Sequence, residues 1–269
     1  MTPNPSLERD RYRPGTWPAR RSLSSSASRA KRHSGAGPSA QTLGITLRLF
    51  RDPESPEMDL PQTLATLVHS SLGHRASPFL VAICGWADTG KSTLAARLCA
   101  ALGQLGARGD SISTDDFMRD RAERNALGIS GYDLRSLNVQ ALQGALASFA
   151  KREPFSVHPY DNRTGTKSLR PRTVQPVDVL VVEGIHSLHL SLAQQMDLKV
   201  FIDSDEATLR QMRYRANIQK RGMTPVDAAA RISSEWEDYI VVVRPRVEVA
   251  DLVVQVDAEF RYLCLKGGA

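Results

Sequence analysis

Apolar positions along residues 59–257 fall into short continuous runs separated by stretches with helical spacing. Leu60, Leu64, Leu67, Val68 and Leu72 recur 4, 7, 8 and 12 residues apart, which predicts an amphipathic helix over 59–72 with its stripe facing a core. Phe79-Leu80-Val81-Ala82-Ile83-Cys84 has no polar alternation and predicts a strand buried on both faces. Residues 92–102 return to helical spacing, and 110–113 predict a short second strand that ends at Thr114-Asp115-Asp116-Phe117. Leu134, Leu137, Leu142, Leu146 and Phe149 predict a helix running through Ala150, and residues 177–182 a third strand. A fourth strand is expected at 198–202, followed by a helix that Asp205 opens and Gly222 closes as a C-cap. Pro225 starts a further helix toward Tyr239, and 251–256 form a last strand. Strands and helices thus alternate, the pattern of an α/β fold with a parallel β-sheet of about five strands and helices on both faces.

Composition changes this picture mainly at the N-terminus. Residues 1–57 are rich in Ser, Arg, Pro and Gly and hold too few apolar groups to offset chain entropy, so a disordered basic extension is expected before a folded domain at 58–269. Three readings of it stay open: a transit-type presequence, a basic arm for an anionic partner, or an untranslated stretch with Met58 as the true start. Residues 1–51 carry ten Lys/Arg and two acidic residues, leaving 25 basic and 27 acidic residues in 52–269. The pI of about 9.4 therefore belongs to the extension, and the near-neutral domain lacks the footprint of a nucleic-acid binder. No apolar run approaches the ~20 residues of a membrane helix. Cys84, Cys99 and Cys264 are scattered, without C-x-x-C spacing, and point to reduced core thiols in a cytoplasmic setting.

The candidate chemistry centres on Gly85-Trp86-Ala87-Asp88-Thr89-Gly90-Lys91-Ser92, a full G-x-x-x-x-G-K-S match between a predicted strand and a predicted helix. Glycines let the backbone wrap an anion, and successive N–H groups and the helix N-terminus face it. Gly85, Ala87, Asp88, Thr89, Gly90, Lys91, Ser92 and Thr93 are accordingly expected to hold the phosphates of ATP, with Lys91 on the β/γ end and Ser92 on Mg²⁺. Asp115 and Asp116 stand at a strand's C-terminal end, the edge where open parallel sheets bind ligands, although an N-cap with an acidic first turn would use the same residues. Glu183 ends the third strand and is expected in the Mg²⁺ shell beside Ser92. Residues 153–176 read as a polar substrate loop, and 205–225 as a lid whose arginines close over phosphates or simply form a solvated face. The guanine reader N-K-x-D, the D-x-x-G switch and the L-S-G-G-Q stretch are absent from the sequence, which disfavours a GTPase and an ABC ATPase.

Over residues 79–257 these blocks resemble the uridine kinase/phosphoribulokinase family. Gly85 to Ser92 is similar to its P-loop, and Ser113-Thr114-Asp115-Asp116-Phe117 to its S-x-D-[SD]-F block. The resemblance implies the P-loop NTPase fold, makes Asp115 the base, and makes Lys91 and Glu183 its partners in catalysis. Gly131-Tyr132-Asp133 and Pro159-Tyr160-Asp161 resemble the acceptor blocks, which would place Asp133 and Tyr160 on the sugar. Glu183-Gly184-Ile185-His186 and the Arg244-Pro245 region lean toward phosphoribulokinases, and Lys220-Arg221-Gly222 matches the end of the lid helix. Ala216-Asn217 stand where the family carries Arg-Asp, leaving lid duty to Arg213, Arg215 or Arg221, and the histidine that helps read uracil is not at its place.

The resemblance implies ATP-dependent phosphorylation of a hydroxyl on a small metabolite, most simply a nucleoside, with Mg²⁺. A sugar phosphate held by Arg163, Lys167 and Arg170 is the alternative acceptor. From other classes, a nucleotide-binding regulatory protein without kinase activity and a nucleic-acid partner of the basic tail remain in view. A membrane partner is not expected, and self-association is left open.

Overall fold

The computed structural model describes residues 59–267; the extension expected to be disordered, 1–57, lies outside the described residues. Its centre is a pair of strands without polar alternation, β1 (Phe79–Gly85) and β7 (Val179–Glu183), buried along their whole lengths. Around them stand β2 (Gly109–Ser113), β8 (Leu198–Asp203), β9 (Leu252–Val256) and β10 (Tyr262–Gly267), in the order β10-β9-β8-β1-β7-β2. The four inner pairings from β2 to β9 are parallel as expected, and β10 adds an antiparallel edge strand that local periodicity did not announce.

Period-two side-chain alternation divides the core between the sheet's faces. Phe79, Val81 and Ile83 pack with Leu60, Leu64 and Val68 of α1 (Leu60–Leu72) and Leu94, Leu98 and Leu102 of α2 (Lys91–Gln104). Leu80, Ala82 and Cys84 pack on the other face with Leu142, Leu146 and Phe149 of α4 (Val139–Ala150). Each such Leu contributes about 1.5–3 kcal/mol on burial, so the two stripes fix which face each helix covers. The helix predicted over 59–72 forms as α1, with Asp59 as its N-cap accepting from Gln62 N.

The helix expected from Leu134 begins later. Asp133 accepts from Arg135 N at 2.8 Å and caps a 3₁₀ turn, Leu134–Ser136, and Asn138 then caps α4 by accepting from Ala141 N at 3.0 Å. Two side-chain caps within six residues outweigh the apolar spacing that joined the segments. Between β2 and α4 lies a short helix, α3 (Arg121–Ala126). The polar loop folds as two small antiparallel ladders, β3 (Phe155–Val157) with β6 (Arg172–Val174) and β4 (Tyr160–Asp161) with β5 (Thr166–Lys167). After α5 (Leu190–Ala193), the segment expected to be a lid forms α6 (Glu206–Arg221), closed by Gly222 in the left-handed region (φ 63°), then α7 (Pro225–Asp238).

Register aligns the chemistry. Ile83 and Ser113 both pair with Glu183, so the C-terminal ends of β1, β2 and β7 share one edge. Strand order reverses at β1, whose neighbours lead to opposite sides of the sheet, and the crevice at such a point is where open α/β sheets take ligands.

Candidate active site

The loop from β1 to α2 is shaped by three positive φ angles, at Gly85 (145°), Asp88 (61°) and Gly90 (86°). Gly85 is obligatory: a Cβ there would lie 2.5 Å from the carbonyl oxygen of Ile202 on β8. Asp tolerates the left-handed region better than most side chains, which permits Asp88 at the crown. Trp86 anchors the base of the loop. Its indole Nε1 donates to the Tyr132 hydroxyl at 2.7 Å and its ring packs against Tyr239 and Trp236 at 5.3 and 5.0 Å. Lys91, buried at the start of α2, donates through Nζ to the Trp86 carbonyl oxygen at 2.5 Å, and Thr89 Oγ1 donates to the same oxygen at 2.9 Å. The loop is thus held in an open ring before any ligand contributes, which lowers the ordering cost of anion capture.

The carboxylates divide their work. Ser92 Oγ donates to Glu183 Oε1 at 2.9 Å, and burial pushes the Glu183 carboxyl above its ordinary value while Lys91 opposes the shift. A hydroxyl and a carboxylate in contact at the foot of a phosphate loop form a hard-oxygen pair suited to Mg²⁺. Asp116 turns inward, accepting from Ser113 N at 3.2 Å and Tyr160 N at 3.1 Å, and burial raises it despite those bonds. Asp115 lines the cavity instead, with Oδ2 accepting from Asn162 Nδ2 at 3.3 Å. Asp116 thus completes the capping box of the 3₁₀ turn that Ser113 opens, and Asp115 is the member of the pair that faces the cavity. Gly184 permits this closeness, since a Cβ there would sit 1.9 Å from Thr114 Oγ1.

Lys91, Ser92, Asp115 and Gly184 line a cavity of about 780 Å³ that runs from the P-loop to α3 and the β4–β5 hairpin, with α6 and α7 along its side. Arg213, 3% exposed, forks onto Glu235 through Nε and Nη2, both at 2.7 Å, and contacts Asp88 through Nη1. Arg221 Nη1 reaches Asp88 Oδ2 at 3.0 Å and Lys220 Nζ approaches Oδ1 at 3.5 Å. Burial alone would raise the Asp88 carboxyl, but Arg213 and Arg221 outweigh it and hold it at about 2. Helix α6 is thereby tied to the P-loop.

Of the residues expected at the site, Ala87, Asp88, Gly90, Lys91, Ser92, Thr93, Asp115, Tyr160, Arg213 and Arg221 line this cavity. Glu183 stands behind Ser92, while Gly85 and Thr89 shape the loop from beneath. Three others lie elsewhere. Asp133 is paired with Arg135 Nη2 at 2.5 Å, Arg163 is exposed beside Asp161, and Arg215 donates to the Ala258 carbonyl at 3.1 Å, bracing the β9–β10 turn. Sequence reasoning missed Arg121, Arg124, Asn162 and Phe260, all of which line the cavity. Phe260 holds a positive φ of 63° and its ring lies beside Gly90. No short motif marks these residues, because their position depends on turns packed from distant parts of the chain. His186, buried and pushed down by desolvation, bonds the Gly131 carbonyl through Nε2 at 2.9 Å and supports the cavity floor.

A parallel sheet that carries a glycine ring on a helix N-terminus at its switch point defines a P-loop α/β protein. The class narrows by comparison: the model of the phosphoribulokinase/uridine kinase family matches residues 80–260, and the chain belongs to this family of P-loop kinases. It is 27% identical over 179 residues to a phosphoribulokinase of Synechocystis sp., covering 66% of this chain and 53% of that protein. It is 29% identical over 177 residues to a uridine kinase of Deinococcus deserti, covering 64% and 81%. Among solved structures, D-glycerate 3-kinase from Cryptococcus neoformans var. grubii superposes with a TM-score of 0.60 at 16% identity, over 78% of this chain and 99% of that one, which shows the shared fold. No helix among the described residues is long and apolar enough to cross a membrane.

Proposed function

We propose that the protein is an ATP-dependent kinase that transfers the γ-phosphate to a hydroxyl of a small metabolite. The observation that carries the reading is the convergence of Lys91, the Ser92–Glu183 pair and Asp115 on one cavity. Phosphoryl transfer asks a protein mainly for positioning and charge neutralisation, and each of these groups serves one of those needs. The N–H groups of the loop and Lys91 bind the donor's phosphates, for which Lys91 exchanges its bond to the Trp86 carbonyl. Mg²⁺, which Ser92 and Glu183 would hold, would supply charge neutralisation at the donor's phosphates. Asp115, steadied by Asn162 through one oxygen, has the other free to orient an acceptor hydroxyl and take its proton. Arg213 and Arg221 border the same space from the lid and exclude water beside the transferring group.

The nucleoside reading of the acceptor drew on Tyr160 and Asp133. Tyr160 lines the cavity, but Asp133 is committed to Arg135 and to capping its own turn. The alternative, an acceptor that already carries a negative charge, is supported by Arg121 and Arg124, which line the cavity with no carboxylate partner among the described residues.

Steady-state kinetics test the assignment of Asp115. Asp115→Asn is expected to lower kcat at least about 100-fold, the lower end of what general-base catalysis contributes, with ATP affinity within a few-fold of wild type. Loss of ATP affinity at unchanged kcat would move Asp115 from the acceptor to the metal.

A further inference from the structure

Of the large apolar side chains that stand exposed among the described residues, Phe260 alone lines the cavity. It is 46% exposed and holds a φ of 63°, where a bulky side chain is an outlier. Burial offsets little of that strain, since half of the residue faces open space. One edge of the ring rests on the P-loop: a Cβ at Gly90 would lie 3.1 Å from Phe260 Cδ1.

The turn between β9 and β10 holds the strained conformation. Asp257 Oδ1 accepts from Glu259 N and Arg261 N, each at 2.9 Å. Phe260 N donates to the Asp257 carbonyl at 3.0 Å, and Asp257 N donates to the Arg261 carbonyl at 3.1 Å. From α6, Arg215 Nη1 donates to the Ala258 carbonyl at 3.1 Å, and Ser204 Oγ, just past β8, donates to the Val256 carbonyl at 2.6 Å. Strained residues persist when their surroundings over-determine them in this way, and they cluster at ligand clamps.

Strand order says what the ring faces. Strands β2, β7, β1, β8 and β9 are parallel, so Asp115 after β2 and Phe260 after β9 stand at the same edge of the sheet. In the order β10-β9-β8-β1-β7-β2 they lie two strands from β1 on opposite sides, about 10 Å each way. A nucleotide whose phosphates sit in the loop after β1, with the terminal one directed toward Asp115, therefore extends its nucleoside the other way, to Phe260. The turn's Asp257 carboxylate and Ala258 carbonyl are committed to bonds within the protein. It thus offers a base a face to stack on rather than an edge to be read by.

We propose that Phe260 is the stacking platform for the donor's purine, held in place by its turn and by Arg215, and that it takes the base by its face, so that GTP is accepted beside ATP. This rests on the nucleotide-binding half of the kinase reading. It also gives Arg215, which lies outside the cavity lining, a positioning role through the turn.

The test is calorimetric titration of the full chain, with Mg²⁺ present, using non-hydrolysable ATP and GTP analogues and inorganic tripolyphosphate, which carries the phosphates without a base. Phe260→Ala is expected to weaken both nucleotides about 5- to 150-fold, the range for a lost base–aromatic stack, and tripolyphosphate less than about threefold. Phe260→Trp should bind both nucleotides within a few-fold of wild type. Phe260→Gly separates the ring from the strain: glycine adopts this φ freely, so it should melt above Phe260→Ala while binding nucleotide as weakly. Arg215→Gln should weaken the nucleotides less than Phe260→Ala does and leave tripolyphosphate unchanged. Nucleotide affinity unchanged in Phe260→Ala, or an equal loss for nucleotide and tripolyphosphate, overturns the platform. So does a preference for ATP over GTP above about 1,000-fold, which marks a site that reads the base edge. Binding is read without turnover, so a protein that phosphorylates no acceptor yet loses nucleotide in Phe260→Ala keeps the platform as the kinase reading falls. Acceptor phosphorylation with a wild-type KM for ATP in Phe260→Ala overturns the platform and leaves the kinase standing.

Discussion

Asp88 shows how much one side chain can settle. It occupies a left-handed backbone position in the phosphate loop, which an Asp accepts at modest strain, and uses its carboxylate to gather Arg213, Arg221 and Lys220 from the lid. Its pKa is held at about 2, below the ordinary 3.8, so its contribution to stability is complete above about pH 4 and is lost as pH falls through 2. Asp88→Asn should therefore lower stability at pH 7 by about 2 kcal/mol, and the gap from wild type, followed by thermal melting, should close between pH 4 and 2. A gap that persists unchanged at pH 2 would show that the ion pairs are not its source. At this scale the sequence was partly legible. The glycine motif marked Lys91 and Ser92, which line the cavity, and the Asp115–Asp116 dipeptide marked a strand end without saying which carboxylate faces that cavity. The fate of Asp133 was not legible, because its bond to Arg135 is a local competition between a cap and a ligand that spacing does not resolve.

Elements were readable where the pattern is carried by neighbours in sequence. Continuous apolar runs marked β1, β7 and β8, and capping residues marked both ends of α6. Elements defined by partners far along the chain were not. β10 exists through pairing with β9, and α3 has no buried residue to give it a stripe. Two of the cavity's arginines ride on that unannounced helix, which is why that end of the cavity was harder to read than the P-loop end. Contact between elements also sets the tightest constraint found here, at the turn after β7. Gly184→Ala would place a methyl group 1.9 Å from Thr114 Oγ1 at a φ of 136°, and is expected to cost on the order of 3 kcal/mol in urea unfolding. Adding Thr114→Ala should restore part of that loss but not the part due to φ. A Gly184→Ala midpoint equal to wild type would mean that the β2 and β7 ends are not packed as described.

At the scale of the whole molecule, the two ends of the cavity obey different logic. The P-loop end is built from backbone geometry, from the Gly85–Gly90 ring and the N-terminus of α2, and so is spelled out in a short motif. The far end is assembled from α3, the β4–β5 hairpin and the segment near Gly131, whose meeting depends on the completed fold. Family membership is established over residues 80–260, and the aligned phosphoribulokinase extends well beyond the matched part. The chemistry proposed for this chain accordingly rests on its own cavity. The most direct test is acceptor-dependent ADP formation by the full chain, with the Lys91→Ala protein as the blank and with EDTA as a second one. Kinase function predicts turnover that requires an acceptor and is abolished in both blanks; tight ATP binding with no acceptor-dependent ADP, or turnover that survives Lys91→Ala, would contradict it.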